Sequence, residues 1–142
     1  MNTTKDHTKL EAAAAVRSLR YFISQQQLSA IGELCYSEER QLFINKLVEL
    51  VNTVQTMPQT YQTDGQGENA IVYLHYFVGG ANWYITERDC LPDQLQTFGL
   101  ADLYGDGGEL GYISIEELKS CGAEIDLYWT AKPLSALRNE RG

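Results

Sequence analysis

An α+β fold is what the amino-acid sequence predicts: N-terminal helices followed by a small, mainly antiparallel β-sheet with one short helix. Three observations predict it. Apolar residues recur at helical spacing as far as Val54. A polar, glycine-containing stretch, "PQTYQTDGQGEN", then occupies 58–69. Beyond it β-branched and aromatic residues gather in short runs bounded by Gly and Pro, and 11 of the 15 aromatic residues lie after residue 60.

The 142 residues make about one domain. A domain of about 150 residues buries roughly 68–70% of its unfolded surface, enough for a core with no metal or disulfide staple. The expected organisation is a helical part over 1–57, with the polar residues 1–8 disordered, and a linker over 58–69. A β-rich part over 70–137 packs with the helices as one unit, and 138–142 is a tail.

The first helix is expected from about Lys9 to Gln25, with Leu10, Ala14, Leu19, Phe22 and Ile23 among good helix formers. Leu28–Tyr36 is a shorter apolar stretch that Gly32 weakens. Ser37 offers an N-cap to a third helix, with Glu38 and Glu39 in its first turn, where the helix dipole favours anions. Phe43, Leu47, Leu50, Val51 and Val54 form its stripe, and Pro58 follows its end.

Residues 70–77 read as a strand, Gly79-Gly80 as a turn and 82–87 as the returning strand. Further strands are expected at 94–101 and 110–114. A capping box, Ser114 with Glu117, opens a short helix that Gly122 ends. "EIDLYWT", 124–130, is the last strand, with Ile125, Leu127 and Trp129 on one face, and Pro133 stops it. A two-residue hairpin loop places Val72, Leu74, Tyr76, Trp83, Ile85 and Glu87 on one face, the expected core face. Tyr73, His75, Phe77, Tyr84 and Thr86 share the other. That even-loop parity separates His75 from Glu87, so they do not readily form an acid–base dyad, and an odd loop would reverse this.

Formal net charge is −8, and all of it falls in 61–142, where 13 acids meet 5 bases. Such a surface repels phosphate backbones, which argues against direct nucleic-acid binding. No run approaches the ~20 apolar residues of a membrane span, and the start lacks the plan of a signal peptide. Cys35, Cys90 and Cys121 are odd in number, far apart and outside any C-x-x-C, so free thiols in a cytoplasmic protein are expected.

"MPQTYQTDGQGENAIVYLHYF", "NWYITERD", "FGLADL", "ELGYISIEEL" and "EIDLYWTAKPLSAL" together resemble an uncharacterised bacterial domain of unknown function over about residues 57–137. Its members occur mostly on plasmids, integrative elements and phages. The resemblance implies a mobile-element context and a compact domain, and it transfers no site residues.

"DLYGDGGE", 102–109, is no EF-hand, because Tyr104 stands at the third position and Ile113 at the twelfth. It lacks the G-K-[ST] of a phosphate loop and reads as a glycine turn. Two histidines, His7 and His75, build no metal site, and no cofactor is expected. Glu87, Asp89 and Glu109 are the best carboxylate set for acid–base work, although no nucleophile or activated water accompanies them. Cys90 beside Asp89 is a poor nucleophile, because a nearby acid raises a thiol pKa.

Aromatic residues on an acidic surface suit a protein partner. The expected function is a non-enzymatic, protein-binding accessory module of a mobile genetic element. Its surface would comprise Tyr73, His75, Tyr84, Asp102, Tyr104, Asp106 and Glu109, and its partner is an unidentified protein. One alternative is an anti-defence protein whose acidic face mimics phosphates. Another is a carboxylate enzyme using Glu87, Asp89 and Glu109. The N-terminal helices also offer a surface for homo-oligomerisation.

Overall fold

The computed structural model describes residues 6–141, with side chains through residue 137. Three helices come first: α1 (Lys9–Leu19), α2 (Gln25–Leu34) and α3 (Arg40–Thr56). The strands β1 (Ile71–Val72), β2 (Leu74–Val78), β3 (Ala81–Glu87), β4 (Thr97–Asp102) and β5 (Glu109–Ile113) follow, then α4 (Ile115–Ser120). The chain ends with β6 (Glu124–Ile125), β7 (Lys132–Pro133) and α5 (Leu134–Arg141). The α+β class is as expected. The main sheet is antiparallel in the order β5-β4-β3-β2-β6, and β1 pairs with β7 in a separate two-stranded ribbon.

Part of the expected disorder, residues 1–5, lies outside the described residues. The next three are held: His7 N–H donates to Asn45, and Thr8 caps α1 in a capping box with Glu11. The first helix stops at Leu19, six residues before the expected Gln25, because a tight turn (Phe22 and Ile23 N–H to Leu19 C=O) leads to Ser24, which caps α2. Its buried face is Ala12, Ala15 and Leu19, whereas Leu10 and Ala14 face solvent. On α3 the expected stripe is buried, except that Leu50 is half-buried. The helix starts at Arg40, so Glu38 and Glu39 precede it, and the Ser37 hydroxyl accepts from Glu39 N–H in the turn before.

The three helices pack on one face of the sheet. Leu19, Phe22, Phe43 and Leu47 meet Leu74, Tyr76, Ile85, Ile113 and Ile125 in a single apolar cluster. Each such side chain contributes about 1.5–3 kcal/mol by leaving water. The Tyr76 hydroxyl enters this layer and donates to Phe22 C=O. A second cluster, Ala70, Val72, Leu100, Leu134 and Leu137 with Tyr84 and Trp129, covers the opposite face.

The hairpin loop has two residues, the even case, with Val78 opposite Ala81 and Tyr76 opposite Trp83, and Gly79 takes the positive φ. Two departures follow from local chemistry. The first strand breaks at Tyr73, whose N–H still donates to Ile85 C=O, so Val72 joins the second cluster while Tyr73 packs on the first. In β3 the register shifts between Ile85 and Glu87, which puts Glu87 opposite Phe98. Glu87 therefore leaves the expected core face and shares the sheet face of His75.

Gly99 makes the close approach there possible, since a Cβ on it would stand 2.0 Å from Tyr84 C=O. The last strand is only Glu124–Ile125, because Asp126 accepts from Tyr128 N–H and turns the chain. Leu127 stays with the helix-side cluster and Trp129 crosses to the other face, donating its indole N–H to Val72 C=O. Gly122 ends α4 as expected, with Ala123 N–H bonded to Leu118 C=O and Gly122 N–H to Lys119 C=O. Residues 138–141 of the expected tail are instead the end of α5, and residue 142 lies outside the described residues.

Gly99→Ala is expected to lower unfolding free energy by about 1–3 kcal/mol, the usual cost of forcing atoms into a packed site. Gly32, inside α2 with open space where a Cβ would sit, is the control, and Gly32→Ala should stabilise by up to about 1 kcal/mol. Urea unfolding followed by circular dichroism checks both.

Candidate functional site

The polar stretch 58–69, expected as a linker, folds against one end of the sheet. Gln59 forms a parallel bridge with Arg88, Thr60 N–H donates to Arg88 C=O at 2.8 Å and Arg88 N–H to Pro58 C=O at 2.9 Å. The register shift delivers Glu87 to the same place. Glu87 is 2% exposed, and its Oε1 accepts from Tyr61 N–H at 2.8 Å. Its Oε2 accepts from Thr63 N–H at 2.8 Å and, in a short bond, from the Thr63 hydroxyl.

Tyr61 holds φ at 77°, a left-handed conformation that costs a non-glycine residue on the order of 1–3 kcal/mol. The bonds to Glu87 and Arg88 offset that strain. They also swing the Tyr61 ring over the sheet, edge-on to Tyr112, which is in turn edge-on to Phe98. The Tyr112 hydroxyl donates to the Tyr61 hydroxyl at 2.7 Å. Between loop and sheet lies a cleft of about 340 Å³, lined by Tyr61, Asp64, Glu87, Phe98, Leu110 and Tyr112 among others.

The three candidate carboxylates do not converge. Glu87 is held by three donors from the loop. Asp89, 4% exposed, accepts from Leu91 N–H on Oδ1 and from Gln96 N–H on Oδ2, so it shapes the turn between β3 and β4. Glu109 is exposed on β5 opposite Ala101, at the far end of the strand from Tyr112 and on the other face. His75 does share a face with Glu87 through the bulge, contrary to the expected parity, but its ring is committed elsewhere. Its Nδ1 lies 3.0 Å from Asp126 Oδ2 and its Nε2 2.8 Å from Asn82 Oδ1, and it stacks on Tyr84 at 4.9 Å.

Of the remaining expected surface residues, Tyr104 is 87% exposed and Asp106 is exposed. Tyr73 packs on the helix-side core, and Tyr84 is half-buried beneath Trp129. Asp102 is buried, because its Oδ1 accepts from Gly105 N–H and folds the glycine turn back over it. Cys35 is a buried free thiol that burial pushes to higher pKa, and Cys90 and Cys121 are exposed and free. Among the described residues no group of three His, Cys, Asp or Glu side chains could hold a metal ion, and no helix is long and apolar enough to cross a membrane.

Tyr61, Thr63, Asp64 and Tyr112 were absent from the expected site. The loop that brings them together has a linker's composition. Its one sequence signal is "TYQTDGQG", where Asp and two glycines mark a turn but not what the turn covers.

Glu87→Ala would leave the Tyr61 and Thr63 N–H groups without acceptors, each such loss costing about 1–3 kcal/mol where the group stays buried. Urea unfolding should show a loss of a few kcal/mol, and amide exchange should accelerate at Tyr61 and Thr63 before it does in β3.

The phenol of Tyr112 is shifted above the usual tyrosine range, first by its bond to Tyr61, then by slight desolvation and the negative charge of Tyr61, Asp64 and Glu87. A folded pKa above the unfolded one means this small contribution is complete below about pH 10 and is lost as pH rises through the raised value. Ultraviolet titration should show Tyr112 ionising late, alongside Tyr76, whose phenol burial also pushes up, and Tyr61→Phe should bring only the Tyr112 step earlier.

A family model described as "Protein of unknown function (DUF2958)" matches residues 43–133, from inside α3 to β7, and so takes in Glu87, the loop above it and the whole main sheet. No curated protein and no solved structure matches the chain. With almost two thirds of its length inside that match, the chain belongs to this family of proteins of unknown function.

Proposed function

We propose that the protein is a non-enzymatic, protein-binding accessory module of a mobile genetic element, acting in the cytoplasm through the outer edge of β5. The observation that carries this reading is the contrast between the two edges of the main sheet. At the β6 edge, the Gln27 side chain closes the strand by donating to Ile125 C=O and accepting from Ile125 N–H, both at 2.9 Å. At the other edge, among the described residues, no strand lies outside β5. An open edge strand is a template for an added strand.

Leu110 and Tyr112 are 44% and 56% exposed on one face of β5, and Glu109 and Asp106 supply negative charge beside it. The partner that fits is an extended segment with apolar side chains for Leu110 and Tyr112 and basic ones for Glu109 and Asp106. The commitment of Glu87, Asp89 and His75 to structural hydrogen bonds supports a binding role over acid–base catalysis. The mobile-element setting rests on the resemblance of the sequence motifs.

Affinity isolation of the tagged protein from its own host, followed by mass spectrometry, tests the reading with Leu110→Lys and Glu109→Lys. A stoichiometric partner is expected with wild type, reduced at least about tenfold by either change while melting temperature holds, tenfold being about 1.4 kcal/mol. Equal capture by both variants would overturn the edge reading, as would sedimentation showing that a second copy of the chain occupies β5.

A further inference from the structure

We infer that the cleft between the 61–67 loop and the β4–β5 face is a binding site for a small organic ammonium ion with an apolar body. The inference does not require the β5 edge reading, although Leu110 and Tyr112 serve both, because the cleft opens on the sheet face rather than on the backbone edge. Four features carry it.

The first is charge. Glu87 and Asp64 line the cleft, and no Lys or Arg does among the described residues. A cation is therefore the ligand whose charge is answered there, and an anion would meet repulsion.

The second is the donor inventory. The Tyr61 and Thr63 N–H groups, which would otherwise cradle an anion, are spent on Glu87. Among the described residues Oε1 of Glu87 takes a single donor, the Tyr61 N–H, and a carboxylate oxygen can accept two, so it has capacity for another. The phenol oxygens of Tyr61 and Tyr112 add acceptors at the mouth, 2.7 Å apart.

The third is the wall. Tyr61, Phe98 and Tyr112 are aromatic, and Ala70, Leu110 and Leu134 complete an apolar lining. Aromatic rings attract cations through their quadrupole, and apolar walls suit the carbon body of an amine. A bare divalent ion would want six or more oxygens, which this lining does not offer. The volume of about 340 Å³ sits at the small end of ligand pockets, which run from about 300 to 1,000 Å³.

The fourth is strain. Among the described residues Tyr61 is one of two non-glycine residues with positive φ, and its conformation sets the ring edge-on to Tyr112 at the cleft. The loop's bonds to Glu87 and Arg88 hold that conformation, so the ring is in place before a ligand arrives.

The test is a titration of ¹⁵N-labelled full-length protein with phenethylammonium chloride, using neutral 2-phenylethanol as the isostere. Phenethylammonium should give saturable shifts at Gly65, Gly67, Phe98 and Leu110, with Kd on the order of millimolar for so small a probe. Asp64→Asn, on the exposed loop, should weaken binding about threefold or more, and Tyr112→Leu about tenfold or more. 2-Phenylethanol should bind at least about tenfold more weakly, since the two probes share the carbon body and differ only in the charged ammonium head. Equal binding of the alcohol would overturn the inference. So would shifts unaffected by both substitutions, or the absence of saturable shifts in protein whose spectrum is that of the native fold.

Discussion

A register shift in β3, between Ile85 and Glu87, is the constraint on which both faces of the sheet depend. Up to Ile85 the strand alternates regularly and gives its apolar side chains to the helices. Past the shift the alternation inverts, and a carboxylate that would have entered the apolar layer emerges on the opposite side. Burying that charge is tolerable only because three donors from one short loop meet it. The same bonds fasten the loop to the sheet and keep Tyr61 in a conformation it would not otherwise hold. Gly99 is the other half of the arrangement, because only a residue without a Cβ lets β3 and β4 lie so close there.

Much of the fold was legible in the sequence, and the reason is local. Helical spacing revealed α3, since six buried residues repeat on one face. Gly79-Gly80 announced a two-residue loop, and the loop length set the pairing of Tyr76 with Trp83. Gly122 announced a helix end because its left-handed conformation is close to a property of the residue itself. What stayed hidden depended on contacts distant in sequence. The bulge follows from the backbone approach at Gly99. The early end of the last strand follows from Asp126, whose two oxygens serve His75 and Tyr128 N–H. The short final helix carried too few periodic residues after Pro133 to stand out.

The candidate site was legible only in part, for a related reason. Glu87 stood out as a carboxylate in an aromatic hairpin, but its partners lie in a segment whose composition speaks of turns. Turn chemistry says where a chain bends and not what it bends over. Asp102 illustrates the converse error. Among exposed acids and glycines it looks like surface, yet the glycines fold the turn back and bury it.

The pairing of the last strands carries a consequence for how the chain folds. β2 through β5 form successive antiparallel neighbours that need only short loop closures. β6 and β7 instead pair with β2 and β1, joining Ile125 to Tyr76 and Pro133 to Ile71 across most of the second half of the chain. On a ribosome, which releases domains from the N-terminus onward, the helices and the meander can assemble while the His75 and Tyr84 face still lacks Trp129, Leu134 and Leu137. The nascent sheet thus carries an uncovered apolar face until Trp129, Leu134 and Leu137 emerge, and the His75–Asp126 contact ties the start of that closing segment to the sheet.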